Sequence, residues 1–214
     1  KVALPAFAEV KDDQSRFERV YKDFFILQLF VLACIYMPVI ITSDLVTTLF
    51  FGESYAKHSW ILSLLATFWF VRVASSNLVG PLVQATGHTK RNFFWNVAVL
   101  LPNALVIYLS SQFGVLALVS AMALFQLTLF PIVNYYFIQY ITKVDFSFSL
   151  KNVFIVVLFF VLPLCALKYL VFPFLPNIFL LKEVAVALFT LALATLLLFF
   201  FKELKGSLKR VKGF

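Results

Sequence analysis

Six apolar runs of about membrane-crossing length follow one another along this chain, and they constrain its fold more than any other feature. They cover residues 24–51, 60–82, 93–109, 115–140, 153–174 and 178–201. A helix of about 20 apolar residues crosses the roughly 30 Å hydrocarbon core of a bilayer. Because only helices and closed barrels satisfy their backbone hydrogen bonds in lipid, the runs predict an all-α fold, a polytopic membrane protein with six transmembrane helices.

The distribution of charge predicts the orientation of these helices. Fourteen of the 18 Lys and Arg side chains lie in residues 1–23, 85–92 and 142–152 and after residue 201. An even number of spans places these segments on one side, and positively charged loops of membrane proteins stay in the cytoplasm. We therefore expect both ends of the chain to be cytoplasmic. The net charge of +8 is interpreted as a topology signal, with no nucleic acid as a partner.

The same pattern divides the chain into three regions. Residues 1–23 carry five basic and five acidic side chains, and their apolar residues recur at near-helical spacing, which predicts a cytoplasmic amphipathic connecting helix. Residues 24–201 form the predicted six-helix transmembrane lobe, and residues 202–214 form a basic cytoplasmic tail. Because the chain opens with Lys and then resembles an internal loop, we expect it to be an N-terminally truncated piece of a longer protein.

Arg72 lies almost at the centre of the second apolar run. A guanidinium cannot be neutralised by losing its proton, and an Arg at the bilayer centre costs about 2.5–3.5 kcal/mol on insertion scales. Phe68 and Trp69 lie one helical turn away and predict cation–π contacts, while Ser75 and Ser76 begin a more polar half-turn. Two interpretations follow: a solvated cavity or anion site, or an arginine satisfied by carbonyls of a neighbouring helix.

Uncharged amides occur in the third and fourth runs. Asn96 and Asn103 are seven residues apart and share one helical face, and Gln126 and Asn134 follow in the next run. Carboxamides can hydrogen-bond sugar hydroxyls, but the same groups also hold membrane helices together. Both interpretations stay open, and with the central arginine these four amides are the predicted substrate pathway.

Three other charged positions are candidates for a role. Asp44 is a carboxylate well inside an apolar run, where it would bind a coupling cation, pair with a basic residue of another helix or lie at the interface. Lys90 and Arg91 form a basic loop, interpreted first as a topology determinant and second as a contact for lipid phosphate.

The links between the runs are too short for a soluble catalytic domain, and no motif for covalent chemistry occurs in them. Cys34 and Cys165 lie in apolar runs without metal-ligand spacing. We expect no cofactor, no metal and a transporter instead of an enzyme.

Four segments carry a resemblance to a known family. They are LPAFAEVKDD with the following RFERVYKDFF, a proline-bearing run ending in LFFGESY, VQATGHTKRNFFWN, and FGVLALVSAMAL. Their order over residues 3–135 resembles the C-terminal part of the polysaccharide or O-antigen flippases of the multidrug/oligosaccharidyl-lipid/polysaccharide (MOP) exporter superfamily. The resemblance implies a two-lobed transporter, in which this chain forms most of one lobe and the missing N-terminal lobe is its partner.

The resemblance also implies an activity. A flippase of this family moves an undecaprenyl-pyrophosphate-linked oligosaccharide across the bacterial inner membrane for the synthesis of surface polysaccharide such as the O-antigen of lipopolysaccharide. The phospholipid bilayer and the lipid-linked oligosaccharide are then the expected partners. Arg72 would attract the pyrophosphate, the amides would bind glycan hydroxyls, and alternating access between two lobes would carry the head group across.

Three alternatives stay open at this point. A multidrug or toxic-compound extruder of the same superfamily would favour acidic groups in its cavity, because its substrates are cationic. An integral-membrane glycan polymerase or ligase would carry a long outer loop or catalytic acids. A non-transporting scaffold would not need the central arginine.

Overall fold

The structure is a computed structural model and describes residues 3–174 and 179–200. Every regular element in this part of the chain is helical, which confirms the all-α prediction. The α-helices are α1 (Ala3–Val10), α2 (Gln14–Ile41), α3 (Ser43–Phe51), α4 (Ser59–Ser76), α5 (Val79–Thr86), α6 (Thr89–Ser111), α7 (Val115–Val133), α8 (Tyr140–Thr142), α9 (Phe146–Ala166) and α10 (Phe179–Phe200). Glu53–His58 and Phe172–Phe174 are 3₁₀-helices, and Asn134–Gln139 and Leu167–Val171 are π-helices.

Five helical stretches among the described residues are long and apolar enough to cross a membrane. They are Gln14–Ile41, Glu53–Thr86, Thr89–Ser111, Val115–Thr142 and Phe146–Phe174. They overlap the first five predicted spans and confirm a polytopic helical membrane protein. The first span ends at Ile41, and the last part of its predicted range forms the separate helix α3. The sixth predicted span corresponds to α10, whose crossing of the membrane stays a prediction. Residues 178 and 201 and the predicted tail, 202–214, lie outside the described part of the chain.

The first span begins earlier than its hydropathy predicts, and the segment before it is two helices instead of one. Asp13 adopts an extended conformation, and its carboxylate accepts hydrogen bonds from the backbone N–H groups of Ser15 and Arg16, both at 3.0 Å. This N-cap starts the 28-residue helix α2 at Gln14 and separates it from α1. The apolar face of α1 packs against α5, where Phe7 is completely buried.

The first two predicted spans are both interrupted, and a proline accounts for the second break. Helix α2 continues through Pro38 to Ile41, and the backbone N–H of Thr42 donates to the carbonyl of Pro38. In the second span, α4 ends at Ser76, and the helix restarts at Val79, two residues before Pro81. A proline ring clashes with the carbonyl four residues before it, which accounts for a break at residues 77–78.

The two π-helices also follow prolines. Asn134–Gln139 begins three residues after Pro131, and Leu167–Val171 begins four residues after Pro163. A missing backbone donor leaves carbonyls free, and a π-helix accommodates this with a local change in hydrogen-bond register. Each register change alters the directions of nearby side chains, among them Tyr136 in the first π-helix and Lys168 in the second.

Helix α2 is the centre of the packing. It contacts α4, α9 and α10, while α7 packs between α4 and α6. Helix α6 lies at the periphery, since Ser110 is the residue of α6 that is buried. The space between α4, α6 and α7 therefore lies near one side of the bundle.

The described basic segments lie at one end of the bundle. This end, called the basic end below, consists of the turn at 11–13 and the loops at 87–88 and 143–145. The side-chain amide of Gln14 donates to the carbonyl of Thr142 at 2.9 Å and joins two of these segments across 128 residues. Their common location agrees with the charge pattern, and the compartment that they face stays a prediction.

Candidate functional site around Arg72

A cavity of about 240 Å³ lies between α4, α6 and α7 and is called the Arg72 cavity below. Its lining includes four of the five predicted pathway residues. These are Arg72, Asn96, Asn103 and Gln126, and the other lining residues are Ser76, Trp95, Val99, Leu100, Phe125, Leu129 and Val133. Three separate helices therefore direct one cation and three amides towards the same space.

Arg72 is near the middle of its span. Helices α4 and α5 together extend over residues 59–86, so Arg72 lies about 20 Å from either end at a rise of about 1.5 Å per residue. The carbon of its guanidinium is 5.4 Å from the ring centroid of Trp69 and 5.8 Å from that of Phe68. These distances confirm the predicted cation–π contacts and shield the cation on one side.

The charge of Arg72 has no counter-ion in the part of the chain that the structure describes. None of the ion pairs between described residues includes it, and its guanidinium donates no hydrogen bond to a described carbonyl. Its side chain is exposed. This geometry favours the interpretation of an open anion site over that of an arginine satisfied by a neighbouring helix.

Two serines fix the backbone beside Arg72. Ser75 and Ser76 both donate their hydroxyl protons to the carbonyl of Arg72, at 3.0 and 2.6 Å. The hydroxyl oxygen of Ser75 also accepts a hydrogen bond from the side-chain amide of Gln126 at 3.3 Å. This bond joins α7 to α4. The side chain of Gln126 is buried and also lines the cavity.

The other predicted amides have two different environments. Asn96 and Asn103 line the cavity, and neither side chain forms a hydrogen bond with a described residue. Asn134 lies outside the cavity: it is 1% exposed and donates to the carbonyl of Phe130 at 2.9 Å. Asn134 was predicted to belong to the pathway, but the structure buries it away from the cavity and bonds its amide to the preceding turn of its own helix.

Gln28 is a residue near the site that the sequence interpretation missed. Its amide donates to the carbonyl of Val73 at 2.8 Å, and its oxygen accepts from the side chain of Asn77 at 3.1 Å. Both bonds hold α4 against α2 immediately beside Arg72. The signal in the sequence was Gln28 itself, because it is the amide within the apolar part of α2.

Asp44, the predicted coupling-ion residue, is paired with a basic side chain of another helix. The Nζ of Lys168 lies 2.8 Å from Oδ1 of Asp44 and also donates to the carbonyl of Ile41 at 2.8 Å. Lys168 comes from the π-helix after α9 and was not predicted as a partner. The pair lies at the end of α2 that is distant from the basic end, and a role in cation coupling stays a prediction.

Lys90 and Arg91, predicted as one basic loop, have different surroundings. Lys90 is exposed in the first turn of α6. The guanidinium carbon of Arg91 lies between two tyrosine rings, 4.0 Å from the centroid of Tyr136 and 3.8 Å from that of Tyr140. The two tyrosines are four residues apart and so lie on the same side of their helix. Arg91 thus packs against this helix, close to the basic end.

Within residues 3–174 and 179–200, the structure contains no group of three His, Cys, Asp or Glu side chains that could hold a metal ion.

Comparison with known proteins identifies relatives for part of the chain. Residues 1–59 match the family described as polysaccharide biosynthesis protein. Over 108 residues, 50% of this chain, the sequence is 30% identical to the amylovoran biosynthesis protein AmsL of Erwinia amylovora, and the match covers 27% of AmsL. The chain thus spans about a quarter of this curated relative, and no solved structure matches it. This membrane protein is therefore similar, over part of its length, to polysaccharide biosynthesis proteins.

Proposed function

We propose that this chain is part of a flippase that moves an undecaprenyl-pyrophosphate-linked oligosaccharide across the membrane during polysaccharide biosynthesis. The observation that carries the proposal is Arg72, a permanent cation without a described counter-ion, in a cavity at the middle of a membrane span. The similarity to polysaccharide biosynthesis proteins supports the choice of a glycan as the cargo.

The side chains of the cavity suit the two chemical parts of such a substrate. A guanidinium can donate two parallel hydrogen bonds to a phosphate, which strengthens the attraction of its charge. The amides of Asn96 and Asn103 each offer donors and an acceptor, as sugar hydroxyls require. Hydrocarbon around the site raises the strength of these interactions, because water competes less there.

The Arg72 cavity is one wall of a larger pathway in this proposal. At about 240 Å³ it is smaller than the usual range of about 300–1,000 Å³ for sites that enclose a drug-sized ligand. Helix α6, which forms one border, is at the periphery of the bundle. The N-terminal lobe of the full-length protein would supply the opposite wall, and alternating access between the lobes would move the head group.

The charge of the cavity disfavours the multidrug extruder as an alternative. A site for cationic drugs needs carboxylates, whereas the charged side chain that lines the Arg72 cavity is an arginine. A glycan polymerase or ligase needs catalytic acids at its site, and this lining offers none.

A genetic experiment tests the proposal. Deletion of the gene for the full-length protein should abolish surface polysaccharide and cause the completed lipid-linked oligosaccharide to accumulate in the cytoplasmic leaflet. Re-expression should restore export. Accumulation of incomplete or unpolymerised glycans on the outer leaflet would instead indicate an enzyme and would contradict the flippase proposal.

A further inference from the structure

A second cavity, larger than the Arg72 cavity, lies at the basic end of the bundle. Its volume is about 700 Å³, and three separate parts of the chain form its walls. The turn after α1 contributes Lys11, the loop before α6 contributes His88, and the last helical turn before α9 contributes Tyr140 and Lys143. We call it the basic-end cavity. The hydrogen bond from Gln14 to Thr142 holds two of these walls together.

Two lysines and one aspartate are among the side chains that line this cavity. Lys11 and Lys143 line it, and neither belongs to an ion pair between described residues. The Nζ of Lys143 is 5.7 Å from the ring centroid of Tyr140, and Arg91 stacks on the same ring at 3.8 Å. Three cationic side chains therefore lie within or directly behind the walls.

Two carboxylates lie nearby and offset part of this charge. Asp12 lines the cavity, whereas Asp145, two residues after Lys143, accepts a hydrogen bond from the side chain of Gln139 at 3.3 Å. Asp13, the N-cap of α2, is a further carboxylate beside this wall, and its hydrogen bonds to the helix leave its charge in place. The Nε of Arg91 is buried without a hydrogen-bond partner, and Arg91 belongs to no ion pair between described residues.

The histidine in the wall has a defined orientation. The hydroxyl of Thr86 donates to the carbonyl of Leu82 at 2.9 Å, so its oxygen accepts the Nδ1 proton of His88 at 3.0 Å. In the neutral ring, the other nitrogen, Nε2, then carries no proton and is an acceptor. The His88 ring also packs edge-on against Tyr140, with centroids 5.7 Å apart. The donors at the cavity wall are therefore lysine and glutamine side chains, the latter from Gln84.

The location of the cavity favours a lipid phosphate as its ligand. Its walls adjoin ends of candidate membrane-spanning helices, so we expect the cavity to lie near the surface of the bilayer. Tyrosine is enriched at this depth in membrane proteins, and basic pockets between helix ends bind the phosphates of lipids. We propose that the basic-end cavity binds the phosphate group of a membrane lipid.

Two lipids could supply this phosphate. One is an anionic phospholipid, which would anchor the basic end in its leaflet. The other is the pyrophosphate of a lipid-linked glycan, which the cavity would hold before it reaches Arg72; this second source rests on the proposed function. Both share the same recognition by Lys11 and Lys143.

A binding experiment on the full-length protein tests the site. Inorganic pyrophosphate is titrated into nanodiscs of the zwitterionic lipid phosphatidylcholine, and an Arg72→Ala background removes the contribution of the Arg72 cavity. The double substitution Lys11→Gln and Lys143→Asn should weaken binding at least about tenfold, the effect of losing one charge-assisted hydrogen bond. Asparagine is chosen because Lys143 has a φ of 62°, which asparagine tolerates. Circular dichroism verifies that the variants are folded.

A matched control is Lys151→Gln, which removes one exposed positive charge near the same end without touching the cavity. It should leave the affinity unchanged. Equal affinity of the double variant and its parent would overturn the proposal, as would an equal loss with Lys151→Gln.

Two further arms distinguish the sources of the phosphate. If a phospholipid occupies the cavity, nanodiscs that contain phosphatidylglycerol should reduce pyrophosphate binding by competition. If the glycan carrier occupies it, undecaprenyl pyrophosphate should compete and phosphatidylglycerol should not; competition by neither lipid would overturn the assignment to a lipid. Normal polysaccharide export in the Arg72→Ala variant would end the proposed function and leave this binding result intact.

Discussion

Arg72 illustrates how a single residue can limit the function of a membrane protein. A central arginine disfavours insertion by about 2.5–3.5 kcal/mol, and its aromatic neighbours return only part of this, since an exposed cation–π contact is worth about 0.5–1 kcal/mol. The described residues provide no counter-ion for Arg72 that would compensate the remaining cost. An anionic substrate would provide it.

Substitution of Arg72 in the full-length protein separates a binding role from a structural one. Arg72→Ala should abolish surface polysaccharide and leave the abundance of the protein nearly unchanged, because removing a central charge does not hinder insertion. Arg72→Lys should retain part of the export, since an ammonium attracts phosphate but lacks the planar fork. Quantitative blots of polysaccharide and protein measure both effects. A parallel fall of abundance and export would identify a structural arginine.

Substitution of three asparagines provides a second prediction, in which Asn134 is the control for Asn96 and Asn103. Asn96→Ala and Asn103→Ala should each reduce export and leave the thermal stability of the protein unchanged, because neither side chain bonds to a described residue. Asn134→Ala should instead lower stability by about 0.5–1 kcal/mol through the loss of its bond to Phe130. Thermal unfolding in detergent compares the three variants. Equal stability of Asn134→Ala and the unchanged protein would contradict a contribution of this bond to stability.

At the level of elements, prolines and π-helices determine which side chains meet. The π-helix after α9 directs Lys168 towards Asp44, at the junction of α2 and α3. The π-helix after α7 directs Tyr136 towards Arg91. Hinge and register changes of this kind are common at functional sites.

The ion pair between Asp44 and Lys168 should be a tertiary contact with a measurable coupling energy. Lys168→Met leaves the Asp44 carboxylate without its partner and should destabilise the protein more than the double variant Asp44→Asn with Lys168→Met. A double-mutant cycle should therefore give a favourable coupling of about 1 kcal/mol. Additive effects of the two substitutions would show that the pair contributes nothing to stability.

The start of α2 predicts a pH dependence. Hydrogen bonds from the backbone of Arg16 and the hydroxyl of Ser15 lower the pKa of the Asp13 carboxyl below its usual value. Because the pKa is lower in the folded state, the charged cap stabilises α2 fully at pH values above the ordinary carboxyl pKa. This stabilisation is lost as the pH falls through the lowered pKa of the folded state. Asp13→Ala should therefore be less stable than the unchanged protein at neutral pH, and the difference should shrink in acid.

Asp13→Asn is the matched variant for this comparison, because asparagine caps helices about as well and does not titrate. Denaturation curves at several pH values provide the measurement. A difference between Asp13→Ala and the unchanged protein that persists below the carboxyl pKa would contradict the role of the charge.

At the scale of the whole molecule, the described basic segments form one end of the bundle and the loop at 112–114 lies near the other. Reporter fusions should therefore show that residues 87–88 face the cytoplasm and residues 112–114 face the opposite compartment, as the positive-inside rule requires. Alkaline phosphatase activity at 87–88 together with its absence at 112–114 would reverse the orientation.

The sequence by itself predicted the class of the protein, the approximate location of five candidate spans and the position of Arg72 near the middle of the second one. These properties depend on hydropathy averaged over about 20 neighbouring residues, so they need no knowledge of the fold. It also predicted the contacts of Arg72 with Phe68 and Trp69, because residues three and four apart on a helix are neighbours.

Only the tertiary structure decided which distant side chains meet. Asn96, Asn103 and Gln126 share a cavity with Arg72, whereas Asn134 does not, because helix packing and the π-helix after Pro131 set their directions. Asp44 and Lys168 are separated by 124 residues, and no local pattern joins them. A helical repeat of 3.6 residues cannot anticipate a π-helical register, so the positions of Lys168 and Tyr136 required the folded chain.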